Sequence, residues 1–167
     1  YQQSLTIFSK IEYRLGEASS LRGLGLSFDR LGDYHKVIDY QRQSLDISRK
    51  IKNSIGVAAS LNNLGKTFLQ SGKLAEAEKN LRQAIAIWEY IRKLLLNKDT
   101  WKVTIFEEQA RTYLVLQKVL VAKKQPLQAL EISERGRTRA LVEILFRRLS
   151  QKLEEAVVPP SPNLREI

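Results

Sequence analysis

The chain has 167 residues, 43% of them hydrophobic, neither cysteine nor methionine, and 28 Lys and Arg against 18 Asp and Glu, a net charge of +10. That length and apolar content suffice for a sizeable core in one elongated domain. The lack of cysteine excludes disulfides, thiolate zinc sites and a thiol nucleophile, and no apolar run approaches the roughly 18 residues of a membrane span; both agree with a cytoplasmic setting.

Residues 1–14 carry Gln3, Leu5, Ile7 and Ile11, a set that returns at Gln43, Leu45, Ile47 and Ile51 and again at Gln83, Ile85, Ile87 and Ile91. Helical spacing recurring at a period of 40 means stacked helix pairs, each too small to bury its own apolar face. The chain is therefore expected to open inside the second helix of an earlier unit. With no methionine, it reads as a piece of a longer array whose cut end exposes Leu5, Ile7 and Ile11 to self-association.

Residues 15–54 and 55–96 form two copies of L-x-x-L-G-x-x-F-x-x-x-G: Leu21, Leu24, Gly25, Phe28 and Gly32, then Leu61, Leu64, Gly65, Phe68 and Gly72. The large residues stand three and four apart, on one helical stripe. Gly25 and Gly65 lie inside it, where glycine costs about 1 kcal/mol of helix propensity, so a neighbouring helix is expected to approach closely there. Gly32 and Gly72 are expected to be left-handed caps that turn the chain into the second helix. The second unit continues with Ala77, Leu81 and Ala84.

This pattern resembles the tetratricopeptide repeat in a form longer than the usual unit. The resemblance implies an all-α, right-handed solenoid of antiparallel helix pairs. It also implies that first helices line a concave groove for a protein or peptide partner, with Ser19, Arg22, Leu26, Asp29 and Arg30, then Ala59, Asn62, Lys66, Leu69 and Gln70 facing it. Asn62 and Asn63 are similar to the asparagines with which long-unit relatives hold an extended peptide backbone, since one amide both donates and accepts. The first unit has Arg22 and Gly23 in their place, which interrupts such a ladder. For any single residue here the alternative is an ordinary solvated helix face.

Residues 97–155 depart from the strict period. After a loop with helix-start residues Asp99 and Thr100, one helix is expected from about Trp101 to Lys123 and another from Pro126. Tyr113, Leu116, Leu120 and Ala129 fall on Leu61, Leu64, Phe68 and Ala77 at a displacement of 52, which makes this a divergent final unit. Its second helix is expected to run about 30 residues, followed by a proline-rich linker over 156–167.

The run from Ala129 to Leu145, ALEISERGRTRALVEIL, resembles the helix closing the repeat array of bacterial, cyanobacterial-type proteins whose next domain is a caspase-like peptidase of the CHAT class. By that resemblance a peptidase domain follows the linker in cis and the repeats are its sensor or regulatory arm. The peptidase's histidine and cysteine have no counterpart here, because the chain lacks cysteine and its one histidine, His35, sits in a repeat turn. A nucleophile needs its activating base. No catalytic, cofactor-binding or metal-ligating set is expected, and His35 is read as a solvent-facing turn residue.

The remaining chemistry is charge. Between Tyr90 and Lys152 fourteen cations face six carboxylates, so most of the excess belongs to the last two helices. Glu131 with Arg135 and Arg139 with Glu143 are spaced as four-residue helix pairs. Arg137 falls on the stripe of Leu130, Leu141 and Leu145, where burial would require an acceptor such as Glu134. Arg135, Arg137 and Arg139 thus form a candidate interdomain face. A nucleic-acid module, with RNA as its ligand, is the competing class; it is disfavoured because Trp101, Phe106 and Tyr113 lie in a different helix from those arginines. An adaptor with no linked enzyme is the third.

Overall fold

The structure, a computed structural model, describes residues 1–94 and 102–157; the side chains of 102–104 and of many residues after Thr138 lie outside the description. Seven helices and no strand occur among the described residues: α1 (Gln2–Lys10), α2 (Arg14–Leu31), α3 (Tyr34–Lys50), α4 (Ser54–Gln70), α5 (Leu74–Leu94), α6 (Lys102–Ala122) and α7 (Pro126–Val157). Each helix packs on the next, α2 on α3 and α4 on α5 most extensively. The first helices also touch directly, α2 with α4 and α4 with α6. This is the stacking of a helical-pair solenoid. The expected helix starts at Asp99, Thr100 and Trp101, and the linker after Val157, lie outside the described residues.

The turns explain why the helices stop where they do. Gly32 and Gly72 hold φ of 74° and 76°, the left-handed conformation expected of them, where an L side chain is strained. Lys124 takes the same conformation, φ 57°, at the place that a displacement of 52 assigns to Gly72. Restart is handled by side chains: Asp33 Oδ1 accepts from the Lys36 N–H at 3.2 Å and Asn53 Oδ1 from the Gly56 N–H at 3.1 Å. The Lys36 side chain, its Nζ 3.0 Å from Asp33 Oδ2, is the main cause that holds the Asp33 carboxyl below its ordinary range, and the backbone bond adds to it.

The core runs continuously from α3 to α7. Leu61, Leu64 and Phe68 of α4 meet Ala77, Leu81 and Ala84 of α5, and the cluster passes through Trp88 to Leu116 and Leu120 of α6 and Ile132 of α7. A Cβ on Gly65 would stand 2.7 Å from Leu81 Cδ2, and one on Gly25 3.2 Å from Gln41 Cδ, so close approach does account for both glycines. Phe28 is only half-buried; it stacks on Tyr40 at 5.5 Å between centroids and carries Lys36 Nζ 4.7 Å above its ring.

A polar seam joins α2, α3 and α4. Ser44 Oγ donates to the Ala18 carbonyl at 2.8 Å, Ser60 Oγ to Ser44 Oγ at 3.1 Å, and Gln41 Nε2 to the Arg22 carbonyl at 3.1 Å. At the other end, ion pairs tie α5 to the last pair. Glu78 accepts from Lys123 and Arg82, and Glu89 accepts from Arg135 Nη2 at 2.9 and 3.0 Å and from Tyr113 Oη at 2.6 Å.

Two expectations about α7 are corrected. Arg137 is not on a buried stripe: Leu130, Leu141 and Leu145 are exposed. Arg137 pairs with Glu134 at 2.9 Å in solvent. Their face of α7 turns away from α6, so the guanidinium needs no buried acceptor. Nor does Arg135 pair with Glu131 along the helix; it reaches Glu89 on α5, a carboxylate already fixed by Tyr113, and so joins the array. The Arg139 and Glu143 side chains lie outside the described residues.

Candidate functional site

A groove of about 550 Å³ opens along the first helices. Arg22 and Leu26 come from α2, Ile55, Ala59, Asn62, Asn63 and Lys66 from α4, and Ile105, Glu108, Arg111, Leu114 and Val115 from α6; the Trp88 side chain of α5 reaches its floor between them. These residues share the groove because helical spacing alternates them with the core positions Leu61, Leu64 and Phe68, which turn toward α5. Six of the thirteen lining residues are aliphatic and six are polar or charged, so apolar surface alternates with groups that can fix a ligand's orientation.

Of the residues expected in the groove, Arg22, Leu26, Ala59, Asn62, Asn63 and Lys66 line it. Asp29 stands beside it and receives Lys66 Nζ at 2.7 Å, an ion pair that bridges α2 and α4. Arg30 and Gln70 are exposed and lie outside the lining, as do Ser19 and Leu69. Sequence reasoning missed the α6 wall and Trp88. The displacement of 52 that placed Tyr113 on Leu61 also places Leu114 on Asn62 and Arg111 on Ala59, so the α6 wall could have been read from it.

Polar groups here are incompletely matched. Asn62 is 9% exposed, and its Oδ1 has no hydrogen-bond partner; Trp88 Nε1 is likewise buried without one. Asn63 is held differently, its Nδ2 donating to Gln41 Oε1 at 3.4 Å. A buried acceptor left alone costs about 1–3 kcal/mol, recovered if the amide turns to meet a ligand. Arg22 is half-buried, and burial pushes its guanidinium below the ordinary value against the opposing charge of Glu108. His35 is exposed in the first turn of α3, away from this groove. No helix among the described residues is long and apolar enough to cross a membrane.

Comparison with known proteins agrees with this architecture. A family model described as tetratricopeptide repeat matches residues 1–50 and 38–89, more than half of the chain. Tetratricopeptide repeat protein 28 of Mus musculus and that of Homo sapiens are each 39% identical to it over 77 residues, 46% of this chain. The chain spans only 3% of the length of those relatives. A solved structure, BtubC (BKLC) from P. vanneervenii, superposes on 86% of this chain and 55% of its own with a TM-score of 0.70 and 20% identity, a likeness of fold alone.

Proposed function

We propose, for a chain that belongs to the tetratricopeptide repeat family, that it is a protein-interaction scaffold whose groove across α2, α4 and α6 holds an extended peptide, and that these repeats carry no chemistry of their own. Tetratricopeptide repeats generally bind protein partners. The observation that supports the peptide reading is Asn62, a nearly buried amide in a partly aliphatic groove with its acceptor unmatched. An extended backbone presents the donor that this amide lacks and the acceptor that its N–H₂ group can meet.

The test is capture from a random display library of roughly 12-residue peptides, long enough to cross three helices. Groove binders should lose affinity with Asn62→Ala while the melting temperature holds, because the substitution removes a group that has no partner in the free protein. Binders indifferent to both Asn62→Ala and Lys66→Gln would move the interaction surface to α7.

A second reading concerns α7, and its support is the Ala129–Leu145 string together with the helix's reach. We propose that the repeats are the regulatory arm of a caspase-like peptidase of the CHAT class in cis, with α7 docking on that domain through Arg137 and Arg139. Arg135 is better assigned to the Glu89 pair. In a full-length protein, Arg137→Glu with Arg139→Glu should alter peptidase activation and leave partner binding to the groove unchanged; normal activation of the double variant would reduce α7 to a capping helix.

A further inference from the structure

The groove has a charge balance that points to one kind of peptide. Three cations line it, Arg22, Lys66 and Arg111, with one carboxylate, Glu108. Lys66 is matched by Asp29 at 2.7 Å and Arg111 by Glu108 at 3.3 Å. Arg22 has no ion pair among the described residues, since Glu108, near enough to act on its charge, is bonded to Arg111. A half-buried guanidinium that keeps its charge and five donors is best satisfied by an arriving carboxylate.

Exposure sharpens this. The Asp29 and Glu108 side chains are 13% and 30% exposed, their cations Lys66 and Arg111 47% and 67%. The carboxylates lie deeper than the cations, so an incoming chain meets positive charge first. The net charge of +10 acts in the same direction over longer range, favouring encounter with acidic partners.

We propose that the groove selects a peptide in which an acidic side chain pairs with Arg22 while neighbouring aliphatic side chains settle on Leu26, Ile55 and Leu114. The inference rests on the peptide reading of the groove and names its ligand class. A nucleic acid would find the same cations but no stacking platform, because the Trp88 side chain is 1% exposed and shut beneath the groove.

Acetylated and amidated peptides of roughly 12 residues, with a central Glu, Gln or Lys and aliphatic-rich randomised flanks, provide the test. The Glu pool should be captured preferentially. For an isolated binder, Glu→Gln in the peptide should weaken Kd about tenfold at near-physiological salt, Arg22→Gln in the protein should bring the two peptides within about twofold, and Arg22→Lys should retain most of the preference. Should Arg22→Gln unfold, the Glu and Gln contrast on the unaltered protein decides alone.

Equal capture of Glu and Gln pools, both lost with Asn62→Ala, would overturn acidic selection and keep the groove. Capture of no pool would overturn both. A free-acid peptide lacking the internal Glu that outbinds the amidated Glu peptide would assign Arg22 to a chain end instead. Displacement of the Glu peptide by a uridine oligonucleotide of higher affinity at about 150 mM salt would transfer the site to nucleic acid.

Discussion

Leu64 and Lys66 stand two residues apart on α4 and do opposite work. Leu64 is buried against α5, so Leu64→Ala should cost about 2–5 kcal/mol by the transfer and cavity terms, whereas Lys66→Gln removes one half-exposed ion pair and should cost about 1 kcal/mol or less. Equal loss in urea melts would mean that the helix is turned the other way. Gly65→Ala tests close approach, since its Cβ would press on Leu81, and a loss of about 1–3 kcal/mol is expected. Lys124 offers the converse: at φ 57° it occupies a turn conformation that glycine adopts freely at Gly32 and Gly72. Lys124→Gly should therefore raise stability by about 0.5–1 kcal/mol, and a fall would show that lost contacts of the lysine outweigh the relieved strain.

Between elements, the attachment of the last helix pair is electrostatic as well as apolar. The bond from Lys123 is the largest cause holding the Glu78 carboxyl below its ordinary 4.5, burial opposes it, and Arg82 adds to it. The unfolded chain binds the proton more readily, so this contribution is complete above about pH 4.5 and is lost as pH falls through the lower folded value. Glu78→Gln should accordingly lower stability at pH 7 and have a smaller effect near pH 3, as read by chemical melts at the two values. An equal deficit at both would mean that the side chain acts by packing. Arg135 with Glu89 is the companion clasp from α7 to α5, and Arg135→Ala should loosen amide-exchange protection in α7 more than in α4.

For the whole array, stability is close to a sum of neighbour interfaces, and the ends have one neighbour fewer. Exchange protection should peak in α4 and α5, which are packed on both sides, and fall toward α1, none of whose residues is buried. Ile7 and Ile11 are exposed there. Association through this face should raise the mass seen by light scattering at millimolar protein, and Ile7→Lys with Ile11→Lys should abolish it; a monomer throughout would show that α1 is satisfied as it stands.

The sequence by itself determined the period, the stripe, the glycine turns and the length of the last helix, because each depends on spacing along one helix or on the conformation of one residue. Its resemblance to the tetratricopeptide repeat implied a groove row, of which six residues line the groove while Ser19, Asp29, Arg30, Leu69 and Gln70 do not, since facing outward between core positions does not by itself put a residue in the groove. The sequence named Glu134, three residues away on the same helix, as the acceptor for Arg137 but placed the pair on a buried stripe, whereas it stands in solvent; it could not assign Arg135, because that residue pairs with Glu89, a carboxylate that only tertiary packing brings near from a distant helix. The α6 wall was legible in the displacement of 52, but only the stacked structure brought the Trp88 side chain of α5 to the groove floor. Only that stack left Asn62 without a partner and Arg22 without a carboxylate, since an unmatched buried group is defined by everything around it and not by its place in the chain.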